Sequence, residues 1–114
     1  MPRNHGIQLE DMLEAAGRVE KYIGSMSEDE FYSDTKTFDA VIRNLEIIGE
    51  AAKNVSSEVK DKTLDIEWKK IAGLRDILIH EYFGIDQEIV WDVVKNKIPA
   101  LIESLRRLRS KGYF

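Results

Sequence analysis

A chain of 114 residues is expected to fold as one domain over positions 1–114, because two independent cores at this size would each bury too little surface. Apolar residues at 43% exclude disorder, the absence of cysteine excludes disulfides and thiolate metal sites, and a formal charge of −4 argues against a protein that wraps duplex nucleic acid. No apolar run approaches the ~18 residues of a membrane span and no basic-then-apolar leader opens the chain, so the expectation is a soluble, cytoplasmic protein without membrane contact.

Two prolines and seven glycines suit long regular elements. From Gln8 to about Met26 the residues Met12, Leu13, Ala16, Val19, Tyr22, Ile23 and Met26 recur at three- and four-residue steps, which predicts an amphipathic helix. His5 precedes it in a loose start. In "SMSEDEFY", Ser27 and Glu30 fit a capping box, and the acidic first turn Glu28, Asp29, Glu30 suits a helix N-terminus. A second long helix is predicted from about Thr35 to Val55, with Phe38, Val41, Ile42, Leu45, Ile48, Gly49 and Ala52 on one face. Ala40, Ile47 and Ala51 give it a second apolar arc, as for a helix that is central or at a subunit interface.

Ser56 to Asp65 reads as a polar connector with at most one helical turn. A third helix is expected from about Ile66 to His80 or Tyr82, ended by Gly84, and Asp86 can cap a fourth. Val90, Val94, Ile98, Leu101, Leu105 and Leu108 form the stripe of that fourth helix, which Pro99 should kink or split by removing a backbone donor. Its last turn, "RRLRSK" (Arg106 to Lys111), carries charge that suits a helix C-terminus; a small RNA-binding patch is the other reading. Trp68 and Trp91 read as core or interface anchors rather than base-stacking platforms. No period-2 strand and no repeat is present. The fold class is therefore all-α, an antiparallel bundle of four main helices plus one or two short helical turns.

The chemistry concentrates in "LRDILIHEYFG", Leu74 to Gly84. At about 100° per residue, Trp68, Ile71, Ala72, Leu78, Ile79 and Tyr82 all fall within roughly 60° of Arg75. An arginine in the middle of an apolar arc needs a carboxylate partner, a solvated cleft or an anionic ligand. Glu46 and Glu50 on the second helix are the nearest candidates by pattern. His80 lies about 140° around from Arg75, whereas Asp76 shares its face and could hydrogen-bond the imidazole. Arg75 and His80 could act together if the helix unwinds near His80, or if a second protomer brings its pair across a two-fold axis. The doubly apolar second helix is in keeping with the second route, and so a homodimer is expected.

An imidazole can move protons near neutral pH, and a guanidinium fork matches phosphate oxygens. Together, without a metal, they suit RNA cleavage by the ribose 2′-OH. An ion pair plus a satisfied polar histidine is the structural alternative. The two histidines make no recognisable metal set.

"RDILIHEY" resembles the Arg-x4-His-x-Tyr signature of the HEPN superfamily, and more narrowly the HepT-like toxins encoded beside a minimal nucleotidyltransferase antitoxin, MntA. "RNLEIIGEAAKNVS", "IEWKKIAGLRDILIHEYFGID" and "VWDVVKNKIPAL" extend the resemblance over most of residues 38 to 105. It implies a HEPN-like fold and a metal-independent endoribonuclease without a cofactor, with Arg75 and His80 as catalytic pair and Asp76 supporting. Tyr82 matches the tyrosine that the partner nucleotidyltransferase modifies with AMP to silence the toxin. A dimer with both motifs lining one cleft is also implied. The competing reading is a non-catalytic helical dimer that binds a nucleotidyltransferase or a nucleotide; a plain structural bundle would give Arg75 and His80 no special part.

Overall fold

In the computed structural model, which describes residues 3–80 and 87–114, the first helix, α1 (Arg3–Ile23), stops where Gly24 adopts φ +53°. That positive φ ends the helix before Met26, although the apolar periodicity runs on to it. Met26 still packs against the core, from the turn rather than from the helix. The expected capping box opens α2 (Glu28–Ser33): Glu30 N–H donates to Ser27 Oγ at 3.2 Å, and Ser27 N–H donates to Glu30 Oε1 at 2.9 Å. Asp34 then caps α3 (Thr35–Lys53), accepting from Thr37 N–H at 3.0 Å.

The second apolar arc of α3 has an intrachain explanation. Its most extensive contacts are with α1 and with α5 (Trp68–His80), so it is the central helix and needs no second subunit to cover Ala51 or Ile47. Ala51 is buried and Ile47 half-buried. The connector is less polar in space than in sequence. It forms α4 (Ser57–Asp61), capped by Ser56, and buries Val59 and Thr63. Thr63 Oγ1 donates to Val59 O at 2.7 Å and accepts from Trp68 Nε1 at 2.8 Å, which ties the connector to the first residue of α5. Ile66 is buried but precedes the helix. The expected stop at Gly84 and cap at Asp86 lie outside the described residues.

Pro99 splits the last helix as anticipated. α6 (Gln87–Asp92) passes through a π-helical turn, Val93–Lys97, into α7 (Ile98–Ser110), with Pro99 in the first turn of α7. Proline cannot donate to the Lys95 carbonyl, and the turn widens so that Ile98 N–H reaches Val93 O, five residues back. All six residues of the expected stripe are buried. α7 returns along α1, where Arg109 Nη2 meets Glu10 Oε1 at 2.9 Å. Among the described residues all regular structure is helical, and no helix is long and apolar enough to cross a membrane.

Candidate functional site

The seam between α3 and α5 is tight at Gly49. A Cβ there would stand 2.6 Å from Arg75 Cβ and 2.9 Å from Arg75 N, closer than real side chains approach. Its φ is not positive, so glycine serves here for space rather than for conformation. The missing side chain lets α5 seat Arg75 directly against α3, beside the next residue, Glu50.

Arg75 Nε lies 2.7 Å from Glu50 Oε2, and Arg75 Nη1 lies 3.5 Å from Asp76 Oδ1. Of the two glutamates singled out by pattern, Glu50 is the one that meets the guanidinium. The Arg75 side chain is 34% exposed, against 51% for Glu50 and 63% for Asp76, so the pair borders solvent instead of being sealed. Two of the three ways of accommodating an arginine on the apolar arc therefore hold together: a carboxylate partner and contact with water. Around it Trp68 and Leu78 are buried, while Ile71, Ala72 and Leu74 are half-buried.

α5 is helical through His80, which places that position about 140° around the axis from Arg75. The His80 side chain, and with it the expected Asp76–His80 hydrogen bond, lies outside what is described, as do Tyr82 and the side chain of His5. Asp76 is placed by the backbone one residue beyond Arg75 and contacts it.

A cavity of about 300 Å³ opens between α5 and α7, walled by Ile48, Ile66, Ile71, Leu74, Ile98 and Leu101. Asp65, Glu67, Lys70, Lys97 and Ser104 supply its polar lining. Lys70 Nζ and Glu67 Oε2 are 2.8 Å apart; that hydrogen bond and the attraction between the charges hold the Glu67 carboxyl below its ordinary range and raise Lys70. Sequence reasoning missed this crevice. Its apolar walls come from four separate stretches of sequence, around Ile48, Ile66 to Leu74, Val93 and Ile98 to Leu101, which no local pattern groups together.

The other candidates resolve structurally. Trp68 is buried, and Trp91 sits in an aromatic group with Phe31 at 5.7 Å between ring centres, Lys95 lying over its ring. In the basic C-terminal run, Arg107 pairs with Asp65 at 3.2 Å and Arg109 with Glu10, so two of its cations are already engaged. Among the described residues no group of His, Asp and Glu could hold a metal ion.

Comparison with known proteins agrees with the family resemblance. Residues 12–108 match the family described as "Ribonuclease HepT-like". A protein of Thermococcus cleftensis named "Probable ribonuclease HepT" is 43% identical over 109 residues, 96% of this chain and 99% of that one. A Methanocaldococcus jannaschii protein, provisionally named an RNase, is 46% identical over 100 residues, 88% of this chain and 83% of that one. A second from the same organism, named as a gamma-glutamylcyclotransferase and provisionally an RNase, is 43% identical over 108 residues, 95% of this chain but 49% of that longer protein. No solved structure gives a significant match.

Proposed function

The chain belongs to the HepT-like ribonuclease family, and on that premise we propose that it is an endoribonuclease in which Arg75 and His80 act on one phosphodiester. The observation that carries this reading is Arg75 itself. A guanidinium held at the solvent border of an otherwise apolar arc, ion-paired with Glu50, is a ready phosphate partner in a protein of this family.

In the proposed reaction the ribose 2′-oxygen attacks phosphorus as the bond to the 5′-oxygen breaks, leaving a 2′,3′-cyclic phosphate and a free 5′-hydroxyl. His80 handles the proton of the 2′-hydroxyl or of the leaving 5′-oxygen. Arg75 offsets charge on the equatorial phosphate oxygens, and Asp76 supports the pair. The protein works as a homodimer, and it is the toxin of a pair whose nucleotidyltransferase antitoxin silences it by placing AMP on Tyr82. The net charge of −4 favours a second reading, a non-catalytic dimer that binds the nucleotidyltransferase or a nucleotide.

Labelled RNA incubated in EDTA with wild type, Arg75→Ala and His80→Ala distinguishes the two. Cleavage by wild type that is lost in both variants, each checked for folding, supports the enzyme; the same background in all three leaves the binding subunit. Co-expression with the active nucleotidyltransferase is expected to add the mass of AMP at Tyr82, and an unmodified Tyr82 under those conditions removes the regulatory claim.

A further inference from the structure

The face of α5 that carries His80 also carries Lys69, Gly73 and Asp76. On a regular helix the eleven residues from Lys69 to His80 make three turns and about 20° more, and Gly73 falls about 20° to the other side of His80. Lys69 therefore stands in line with the histidine, about 16 Å nearer the start of the helix. Lys69 and Asp76 are exposed, and a Cβ built on Gly73 would meet nothing within 4 Å. Glycine weakens a helix interior, yet Gly73, unlike Gly49, has neither a close neighbour in the chain nor a positive φ to require it.

At the Lys69 end this strip meets a shallow crevice of about 490 Å³ between α4 and the start of α5. Lys60, Lys69 and Lys70 line it together with Asp61 and Glu67, and Leu64, 84% exposed, gives it an apolar edge. Lys70 is engaged by Glu67 at 2.8 Å, whereas among the described residues Lys60 and Lys69 form no ion pair. The crevice is locally positive on a chain whose net charge is −4. We infer that it is a second phosphate-binding point for the RNA strand: Lys60 and Lys69 hold a backbone phosphate several nucleotides from the one cut at Arg75 and His80. The strand between them lies over Gly73, where no side chain keeps it off the helix.

The inference rests on the ribonuclease reading and gives its substrate a minimum length. An acidic protein must draw RNA through local cations, since phosphate neutralisation and counterion release supply much of the affinity. Arg75 shares its charge with Glu50 and Asp76, which leaves the larger part of that task to cations elsewhere. The contact of Asp76 with Arg75 in turn offsets the one carboxylate on the strip.

Substrate length separates this role from a structural one. A dinucleotide holds only the scissile phosphate, so Lys60→Ala combined with Lys69→Ala should cleave it like wild type. On a longer oligoribonucleotide the same variant should show KM raised several-fold with kcat kept. Binding of a fluorescent all-deoxy oligonucleotide, which lacks the 2′-hydroxyl and stays uncut, should lose about 0.7 in the slope of log affinity against log salt for each phosphate contact removed. Lys60→Arg with Lys69→Arg should restore both. Gly73→Ala should melt no lower than wild type, because the new methyl group meets open space, and still bind the longer strand more weakly.

An equal loss on dinucleotide and long substrate, an unchanged salt slope, or a Gly73→Ala variant that binds like wild type overturns the inference. So does a Gly73→Ala variant that loses its dimer mass, which would give the strip to a second copy of the chain. Wild type that fails to cleave RNA overturns the ribonuclease reading instead, while the uncut oligonucleotide still reports on Lys60 and Lys69.

Discussion

At Gly49 two opposed effects can be weighed. Replacing a mid-helix glycine by alanine gains about 1 kcal/mol of helix propensity. Here the new Cβ would meet Arg75 Cβ at 2.6 Å and Arg75 N at 2.9 Å, atoms at the backbone that no rotamer change can move aside. Overpacking of this kind costs about 1–3 kcal/mol, so the clash outweighs the gain. Gly49→Ala is expected to lower the urea midpoint and to depress cleavage through displacement of Arg75; a variant as stable as wild type would show that the two helices can part without cost. The sequence placed Gly49 on the apolar face but gave no reason for it. It also offered Glu46 and Glu50 as equals, since residues four apart share a helix face. Only the rotation and depth of α5 against α3, which no local pattern encodes, distinguishes them.

Helix boundaries were legible wherever a cap or a breaker announces itself through its own chemistry. Ser27 with Glu30, and Pro99, did so; the short turn α4 and the start of α5 near Ile66 were also expected, but not the burial of Val59 and Thr63, which sit among charges that hide them in one dimension. The caps have a pH consequence. Hydrogen bonds from the backbone N–H of Ser27 and of Thr37 hold the Glu30 and Asp34 carboxyls below their ordinary values of 4.5 and 3.8. Folded-state values that are depressed make these groups stabilising at neutral pH, and that contribution is lost as pH falls through the ordinary range and then through the lowered values. The melting temperature should therefore fall with acidification below about pH 5. Glu30→Gln combined with Asp34→Asn should flatten part of that slope, and an unchanged slope would mean that these caps carry no proton linkage.

For the whole molecule, the central position of α3 removes one argument for a dimer while leaving the geometric one in place. A helix that stays regular through His80 sets the two motif positions about 140° apart, which suits a cleft built from two chains better than one built from a single helix. The expected molar mass in solution is twice 13.2 kDa. Mixing Arg75→Ala protomers with His80→Ala protomers offers a sharper test. In a shared cleft one of the two sites in each mixed dimer keeps an intact arginine and an intact histidine, so partial activity should return. No recovery, with mixed dimers demonstrated by mass, would place each site within one chain. The bundle itself was readable from periodicity, since each long helix carries one dominant apolar face. The crevice between α5 and α7 was not, because it depends on how far two helices stand apart.

The π-helical turn before Pro99 can be understood as a correction of phase. Val90, Val94 and Ile98 follow one another at two successive steps of four, where a seam that tracks an α-helix alternates threes and fours. Two fours in a row carry the apolar line about 80° off course on an ideal α-helix. A turn that holds more residues per revolution takes up that drift, and Ile98 returns to the side from which Leu101, Leu105 and Leu108 continue. The proline thus sits where the hydrophobic pattern already calls for slack, and the break in hydrogen bonding and the continuity of the core are two results of one local change in winding.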